Sequence, residues 1–464
     1  MNAVFIAMAV PLFGAFGVSL MPKQYKPLSA VGILGVVFAA SIGAVRAVLL
    51  NSEISWHRQI TEWFSFSFVV DGLSVFMAAV VSCVALLIAL YSLDYMKEYE
   101  QRGEFYFWMV LFVGAMMGLI FSANLLLMYC FWEITSVCSW RLIGFYRKEK
   151  DLKAADRAML MTFVGASLLL AGIILIFLTY GTLEISLLQD KPISNLIAFL
   201  LFAGIISKSA QLPFQTWLPD AGVAPTPVTA LLHAAVLVKI GVYVFARLFG
   251  VTFLTSSLFL SWAVGISAAT ILVGAACALV ENNMKRILAY STISQLGYVI
   301  LALSLGSRMA FMVALIYILA HSLAKAGLFL CVGIVEHKTK TKDINQLGGL
   351  YTTMPYTATA YLLCAFAIIG LPPFLGFWPK FMTVLLSFQQ GQSVAGFAAI
   401  AGAVGTLFYL MRLFDRVFLG EQKIAAQEDK RSAMVKVVVV LGVLSLVFGF
   451  LVKIPLNFLM RVMG

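Results

Sequence analysis

Apolar runs of membrane-spanning length repeat along the whole chain, and this repetition limits the fold more than any other feature. They cover residues 3–20, 28–49, 69–92, 106–121, 124–144, 158–180, 195–218, 226–248, 256–280, 286–305, 309–335, 354–386, 393–418 and 434–453. The chain is 62% hydrophobic and 11% charged, whereas soluble domains carry about 25% charged residues. Because about 20 apolar residues in a helix cross a bilayer, we predict an all-α polytopic membrane protein with about 14 transmembrane helices.

Basic residues are concentrated in alternate loops. One set holds 19 lysines and arginines: Lys23, Lys26, Lys97, Arg102, Arg147, Lys148, Lys150, Lys153, Arg157, Lys285, Arg286, Lys338, Lys340, Lys342, Arg416, Lys423, Lys430, Arg431 and Lys436. The opposite loops and the C-terminus hold five: Arg58, Lys191, Arg308, Lys453 and Arg461. The positive-inside rule places the first set in the cytoplasm and both termini outside, as in a multi-pass protein of a prokaryotic cytoplasmic membrane. These loops account for much of the net charge of +11, so we expect no nucleic-acid partner.

Neither a metal site nor a cofactor motif is apparent in the sequence. The six cysteines, Cys83, Cys130, Cys138, Cys277, Cys331 and Cys364, all lie in apolar runs without a C-x-x-C pair. Buried cysteines of this kind are typically structural. There is no G-x-G-x-x-G or Walker motif, so we expect no redox cofactor, metal or nucleotide in this chain.

Prolines interrupt two of the runs, at Pro213 in residues 195–218 and at Pro372 and Pro373 in residues 354–386. Proline removes a backbone donor and clashes with the preceding helical turn, so each run predicts a broken helix. Counting from the fourth and ninth spans, each break falls in the fourth helix of a five-span unit. Broken helices at corresponding positions indicate a repeat, and an odd number of spans inverts it.

The predicted single membrane domain therefore has four parts. Residues 1–105 contain helices 1–3, residues 106–250 form the first repeat, residues 251–420 form the second, and residues 421–464 contain helix 14.

Ionisable residues occur at membrane depth in several of these spans. Glu133 lies nine residues beyond Asn124, about 13 Å along a helix and therefore near the bilayer midplane. A carboxylate there needs a cation, and Lys208, beside the first break, lies at comparable depth. We predict a Glu133–Lys208 pair, either for ion transport or as a structural clamp between helices.

The later spans add two histidines and three further lysines. His233 and Lys239 are six residues apart and lie on different faces of one helix. His321 and Lys325 are four apart and share a face, and Lys380 follows the second break. Each histidine is either a satisfied core group or a member of a proton path. The polar residues of the tenth span either line a hydrated path or bond neighbouring helices: Ser291, Thr292, Ser294 and Gln295.

Seven motifs together resemble one known family. They are VDGLS from Val70, FWEITS from Phe131, KSAQLPFQTWLPDA from Lys208, APTPVTALLHAAVLVKIGVY from Ala224, MKRILAYSTISQLGY from Met284, HSLAKAGLFL from His321 and GLPPFLGFWPKF from Gly370. The chain is similar over about residues 70–381 to the antiporter-like subunits of respiratory complex I, Mrp-type cation/proton antiporters and membrane-bound energy-converting hydrogenases. The resemblance implies fourteen helices with inverted five-helix repeats. It assigns proton translocation to Glu133, Lys208, Lys239 and Lys380.

The sequence also departs from that family. Gln215 replaces a family histidine, Arg141 stands where most members are apolar, and Lys380 replaces a glutamate of some complex I members. No long lateral helix is expected after the fourteenth.

Three functional hypotheses follow from this sequence. The first is a proton-translocating subunit of a redox-driven complex, in which charge passes from Glu133 and Lys208 to Lys239, then His321 and Lys325, and finally Lys380. Its partners would be other membrane subunits carrying iron–sulfur, nickel–iron or quinone chemistry. The second is a subunit of a secondary sodium/proton antiporter. The third is a scaffold whose polar residues only hold helices together.

Overall fold

The chain folds into a bundle of helices, and the computed structural model describes residues 1–51, 53–61 and 64–462. The helices are α1 (Asn2–Leu20), α2 (Lys26–Asn51), α3 (Gly72–Tyr95), α4 (Arg102–Phe121), α5 (Leu125–Ile143), α6 (Glu149–Tyr180), α7 (Ile185–Leu188), α8 (Asn195–Lys208), α9 (Trp217–Asp220), α10 (Thr226–Ala230), α11 (Leu237–Phe245), α12 (Ser257–Val280), α13 (Met284–Ser304), α14 (Arg308–Thr339), α15 (Pro355–Ile369), α16 (Phe377–Gln389), α17 (Ser393–Phe418), α18 (Ala433–Phe450) and α19 (Lys453–Val462). Short 3-10 turns lie at Met96–Glu98, Ala221–Val223 and Ile344–Gln346, and π-helical segments at Leu231–Ala235 and Ala246–Thr252.

The predicted all-α membrane architecture is confirmed. Within the described ranges, 11 helices are long and apolar enough to cross a membrane. Helices α8 and α15 are apolar but shorter, because each is the first half of a broken helix. The count of fourteen spans and the four-part division of the chain stay predictions.

Both predicted breaks are present. The first separates α8, which ends at Lys208, from α9, and the second separates α15 from α16. A cis peptide bond precedes Pro213 and another precedes Pro373. Gly370 follows the last residue of α15 with φ of 87°, a left-handed conformation that glycine adopts without steric cost.

The two halves share one local construction, which supports the inverted repeat. Asn124 caps α5 by accepting hydrogen bonds from two amides of its first turn, and Asn283 caps α13 in the same way. Each asparagine also forms an isolated antiparallel bridge, with Glu184 after α6 and with Asp343 after α14. Helices α5 and α13 are the second helices of the two predicted repeats. The charge pattern assigns their caps to opposite sides of the membrane.

Close packing of α6 on α8 fixes the position of the first break. A Cβ at Gly165 in α6 would overlap the side chain of Ser207 in α8, and a Cβ at Gly204 would meet the side chain of Leu169. Small residues let helix backbones approach closely in membrane proteins. This contact therefore holds Ser207 and its neighbour Lys208 in place.

Short extended segments and a terminal helix lie outside the predicted spans. Strands β1 (Ile54–Gln59) and β2 (Ser65–Val70) form an antiparallel pair before α3, so the prediction that the third span begins at residue 69 is wrong by about one turn. Helix α3 instead begins after Asp71, which forms a capping box with Ser74. The two-residue strands β3 (Lys191–Pro192) and β4 (Phe253–Leu254) pair in parallel. Helix α18 ends at Phe450, and α19 follows it.

Candidate functional site

The predicted ionisable residues lie inside the bundle rather than on its lipid-facing surface. Six of the seven are buried: Lys208, His233, Lys239, His321 and Lys325 are fully shielded, and Lys380 is 5% exposed. Glu133 is partly exposed. Burying an amine without hydrogen-bonding partners is costly, so the contacts of each group decide what it can do.

The predicted Glu133–Lys208 pair takes the form of an interaction through space, without a close contact between the two charged groups. Lys208 instead donates a 2.6 Å hydrogen bond to the Ser136 hydroxyl, one turn beyond Glu133 on α5. Its ammonium lies 5.3 Å from the ring centre of Trp132. Glu133 keeps one buried carboxylate oxygen without a hydrogen-bonding partner among the described residues. Lys208 therefore contacts α5, the helix that carries Glu133. The charges of Lys208 and Glu133 interact through space rather than through a shared hydrogen bond.

A direct contact joins the two halves of the protein. Lys239 on α11, in the first predicted repeat, lies 2.5 Å from Nδ1 of His321 on α14, in the second. Both side chains are fully buried. Either Lys239 or His321 can carry the proton of this hydrogen bond, because an amine and an imidazole each act as donor or acceptor according to their protonation. This pair thus forms a direct polar contact between the two predicted repeats.

His233 lies in the π-helical segment Leu231–Ala235, four residues before α11 begins at Leu237. Its ring packs on Phe329 with 4.5 Å between ring centres. Neither ring nitrogen has a hydrogen-bonding partner in the described part of the chain, and the same is true of Nε2 of His321 and the Ser322 hydroxyl. Since buried polar atoms take partners, these orphaned atoms mark positions for bound water.

Lys325 belongs to a network that the sequence did not reveal in full. Its ammonium donates a 2.6 Å hydrogen bond to Ser291 on α13, and Ser291 contacts the Tyr409 hydroxyl on α17 at 2.8 Å. Gln295 also contacts Tyr409 and accepts a 2.6 Å hydrogen bond from Tyr317. Two of the four polar residues singled out in the tenth span, Ser291 and Gln295, thus join the network.

The other two polar residues of α13 have different partners. Thr292 donates to a carbonyl of its own helix, and Ser294 donates to the carbonyl of Ile271 on α12. The prediction of a bond to a neighbouring helix is therefore met by Ser294 but not by Thr292.

Lys380 lies at the second break and contacts the end of the preceding half-helix. It donates to the carbonyls of Ile368 and Ile369, at 2.8 Å and 3.2 Å, and these are the last residues of α15. Its ammonium is also 5.0 Å from the ring centre of Tyr298 on α13. Helix C-termini carry partial negative charge and unpaired carbonyls, which stabilise a cation. Lys208 is likewise the last residue of its half-helix, so both breaks place an amine at a helix C-terminus.

On the side that the charge pattern assigns to the cytoplasm, a cavity of about 310 Å³ adjoins the first break. Its wall includes Asp220 at the end of α9, which accepts hydrogen bonds from Arg157 at 2.5 Å and from Arg286 at 2.8 Å. Glu281 pairs with the same Arg286 at 2.8 Å. This ion-pair group links α6, α9 and α13 at the mouth of the bundle.

At the opposite end of the bundle, Arg247 is buried although it lies near a helix end. It forms a two-pronged ion pair with Asp71, at 2.5 Å and 2.9 Å, and contacts the Tyr243 hydroxyl. Burial raises the pKa of Asp71, but the guanidinium and the Ser74 hydrogen bonds outweigh this effect and hold that pKa at about 2.

Two departures from the family pattern also have a structural setting. Arg141 binds Glu104 on α4 at 2.5 Å, and Arg147 binds the same carboxylate. Its partner is therefore not Glu133. Gln215 lies in the first break with one buried oxygen that has no hydrogen-bonding partner among the described atoms. Groups of three or more His, Cys, Asp or Glu that could hold a metal ion do not occur within residues 1–51, 53–61 and 64–462.

Comparisons with known proteins agree with the resemblance drawn from the motifs. Residues 122–408 match the family model of the NADH:quinone oxidoreductase/Mrp antiporter transmembrane region. Residues 59–106 match the model of the complex I chain 5 N-terminus.

Individual relatives come from two kinds of complex. The chain is 35% identical to NAD(P)H-quinone oxidoreductase chain 5 of Synechocystis, over 91% of this chain and 66% of that protein. It is 34% identical to Na(+)/H(+) antiporter subunit A1 of Staphylococcus saprophyticus, over 93% of this chain and 57% of that protein. The chain thus spans less than two thirds of the length of these two curated relatives.

Solved structures show the same fold. A chain of the Mrp complex from Dietzia superposes with a TM-score of 0.90 at 22% identity, covering 100% of this chain and 97% of that one. A chain of the archaeal membrane-bound sulfane sulfur reductase gives 0.88 at 22% identity, with 99% and 97% covered. With a family model matched over more than half of its length, this chain belongs to the NADH:quinone oxidoreductase/Mrp antiporter family of membrane subunits.

Proposed function

We propose that this chain translocates protons as the antiporter-like subunit of a redox-driven membrane complex of the complex I or energy-converting hydrogenase kind. The observation that carries the proposal is the buried row of amines and imidazoles that crosses both predicted repeats, joined between them by the 2.5 Å Lys239–His321 contact. Buried ionisable groups in a membrane are costly to keep, and they typically mark ion pathways.

The composition of the row favours protons as the cargo. Four buried lysines, Lys208, Lys239, Lys325 and Lys380, accompany a single carboxylate, Glu133. A sodium ion needs several oxygen ligands, whereas amines and imidazoles bind and release protons. Full protonation of every site would concentrate uncompensated positive charge in a medium of low dielectric. The row therefore holds fewer protons than it has sites, and a proton can move along it.

The proposed direction starts at the first break. Protons enter beside α9 from the side that the charge pattern assigns to the cytoplasm, where the cavity near Asp220 opens. A change in the electric field of Glu133 changes how tightly Lys208, which is hydrogen-bonded to Ser136, holds its proton. Charge then passes through water to Lys239, by the direct contact to His321, then to Lys325 on the same helix face. Lys380 is the last site before release on the other side.

The proposed assembly supplies the driving reaction from elsewhere. This chain would bind no cofactor of its own, and iron–sulfur, nickel–iron or quinone chemistry would reside in partner subunits. The similarity to a quinone oxidoreductase chain and the fold shared with a respiratory complex support this arrangement. We further propose a prokaryotic cytoplasmic membrane, with both termini outside.

A second candidate is a subunit of a secondary sodium/proton antiporter without redox drive. The 34% identity to a sodium/proton antiporter subunit favours it. The same row would then exchange protons against sodium carried elsewhere in the assembly.

One vesicle experiment tests both candidates. Everted membrane vesicles containing the assembled complex are supplied with NADH or hydrogen, and separately with sodium pulses, while a pH-sensitive dye reports proton movement. Redox drive predicts acidification of the vesicle lumen by reductant without sodium, whereas proton movement only after a sodium pulse, out of the lumen as sodium enters, selects the antiporter.

Two charge-removing variants test the site itself. Lys208→Ala and Glu133→Ala should abolish proton movement while the complex still assembles. Lys23→Ala is the matched control, because Lys23 is exposed in the turn between α1 and α2 and does not line the cavity beside α9. Unchanged proton movement in Lys208→Ala would leave only a scaffold role for the row.

A further inference from the structure

A buried cluster of hydroxyl and amide groups lies between the last two lysines of the row. It consists of Ser291, Gln295, Tyr317, Thr406 and Tyr409, and is called here the hydroxyl cluster. All five side chains are buried, Tyr317 and Tyr409 at 1% exposure and the others at 0%. They come from α13, α14 and α17, so the cluster exists only through tertiary packing.

The cluster begins at Lys325. In the described part of the chain, the hydrogen bond that the Lys325 ammonium makes goes to Ser291, at 2.6 Å. The Ser291 hydroxyl is in turn hydrogen-bonded to the Tyr409 hydroxyl at 2.8 Å, and Tyr409 donates to the Thr406 hydroxyl at 3.3 Å. Serine, threonine and tyrosine hydroxyls each accept one hydrogen bond while donating another, as a proton relay requires.

The cluster ends beside Lys380. Ser291, Gln295 and Tyr298 are spaced by four and three residues on α13 and therefore share one face of that helix. Tyr317 donates to Gln295 at 2.6 Å and packs edge-on against Tyr298 with 5.8 Å between ring centres. The Lys380 ammonium lies 5.0 Å from the centre of the same Tyr298 ring.

Depth along the helices agrees with this order. Ser291 lies eight residues and Tyr298 fifteen residues beyond the Asn283 cap, or about 12 Å and 22 Å along α13. Lys380 contacts the carbonyl of Ile368, thirteen residues into α15 and therefore about 20 Å from the same side of the membrane. The face of α13 that carries Ser291, Gln295 and Tyr298 thus extends from the depth of the Lys325–Ser291 contact to the depth of Lys380.

We propose that the hydroxyl cluster carries protons from Lys325 towards Lys380, with Ser291 and Tyr409 as relay residues; this inference rests on the proposed function. Ser291 accepts a proton from the Lys325 ammonium at its oxygen and releases its own hydroxyl proton to the Tyr409 oxygen. Tyr409 in turn releases its hydroxyl proton to the Thr406 oxygen, and Thr406, whose hydroxyl otherwise donates to the Gly402 carbonyl, releases its own proton through solvent water to the free amine of Lys380. Each hydroxyl gains one proton and loses one, so Lys325 becomes neutral and Lys380 becomes charged.

Tyr409→Phe tests this relay, because it removes one hydroxyl and keeps the ring. A positioned proton-transfer group contributes roughly 10²–10⁴-fold, and water entering the site recovers part of that. We therefore expect proton movement per reductant turnover, or per sodium exchanged, to fall at least about tenfold. Ser291→Ala should give a similar fall through the same step.

Tyr361→Phe is the matched control. Tyr361 is equally buried, and its hydroxyl donates to the carbonyl of Leu410 on the same helix as Tyr409 but outside the cluster. The complex carrying each variant is measured in everted vesicles for proton movement, with its solvent isotope effect, and for thermal stability. Equal loss of stability in Tyr409→Phe and Tyr361→Phe with full proton movement in both would overturn the relay. Lys208→Ala is run beside them: its failure to pump while Tyr409→Phe pumps normally refutes the relay alone, whereas normal pumping by Lys208→Ala refutes the proposed function.

Discussion

Replacing Lys239 by methionine separates transport from folding at the contact between the two halves. Lys239 is fully buried, and its hydrogen-bonding partner is His321 at 2.5 Å. Methionine has a similar length and volume, so the change leaves little cavity and removes a poorly solvated amine. Volume-conserving core exchanges cost less than about 1.5 kcal/mol, and a buried polar atom left without its partner, here Nδ1 of His321, costs about 1–3 kcal/mol. Lys239→Met should therefore lose no more than about 1–4 kcal/mol of stability, and the complex should still assemble.

Proton transport by Lys239→Met, by contrast, should be lost. Proton transfer needs donor and acceptor within about 3 Å or one intervening water, and His321 loses its amine partner in Lys239→Met. Loss of a positioned proton-transfer group slows the step by roughly 10²–10⁴-fold, which corresponds to about 2.7–5.4 kcal/mol of barrier at 1.36 kcal/mol per tenfold. At that rate, proton movement in vesicles should fall to background.

The assay compares dye-reported proton movement and the thermal unfolding midpoint of the same purified complex. Lys23→Met is the control, since it removes an exposed lysine between α1 and α2, away from the row and from the cavity beside α9, with the same chemical change. A Lys239→Met complex that moves protons at the native rate would refute the assignment of Lys239 to the route. A complex that fails to assemble is distinguished by the midpoint, and Lys239→Gln, which keeps a polar group at this site, then takes its place in the transport assay.

Three further predictions concern the packing and the buried ion pair. Gly165→Ala should destabilise the protein by about 1–3 kcal/mol and lower proton movement, because its Cβ overlaps Ser207; unchanged thermal unfolding would contradict the close α6–α8 contact. Arg247→Met should cost about 3 kcal/mol, because it leaves the partly buried Asp71 without its cation, as judged by denaturant unfolding in detergent. Because the pKa of Asp71 is lowered in the folded state, to about 2 from an ordinary 3.8, it adds stability above pH 4 that is lost as the pH falls towards 2. This loss, roughly 2 kcal/mol by the linkage relation, should be absent from an acid titration of Asp71→Asn.

The breaks and the burial of the lysines were predictable because both follow from local chemistry. Pro213 and Pro373 cannot donate a helical hydrogen bond, whatever surrounds them. An amine in the middle of an apolar run, such as Lys239 or Lys325, is carried into the membrane by its neighbours and has to find an interior partner. Depth along a helix follows directly from residue number.

The partners of these groups were less predictable, because they depend on rotation about helix axes and on packing between distant segments. Glu133 and Lys208 have similar depths, but Lys208 is directed at Ser136 instead. Arg247 lies near a helix end, yet its side chain is buried because it forms an ion pair with Asp71, the N-cap residue of α3. Tyr409 in an apolar run has the appearance of a core residue, and only the fold brings it to Ser291.

The most direct test of the central claim is a cryo-EM map of the assembled complex that resolves ordered water inside this subunit. The proposed route predicts waters bonded to the free nitrogens of His233 and to Nε2 of His321, and water bridging Lys208 to Lys239. A dry, apolar barrier between Lys208 and Lys239, with no ordered water beside His233, would contradict a proton route through this row.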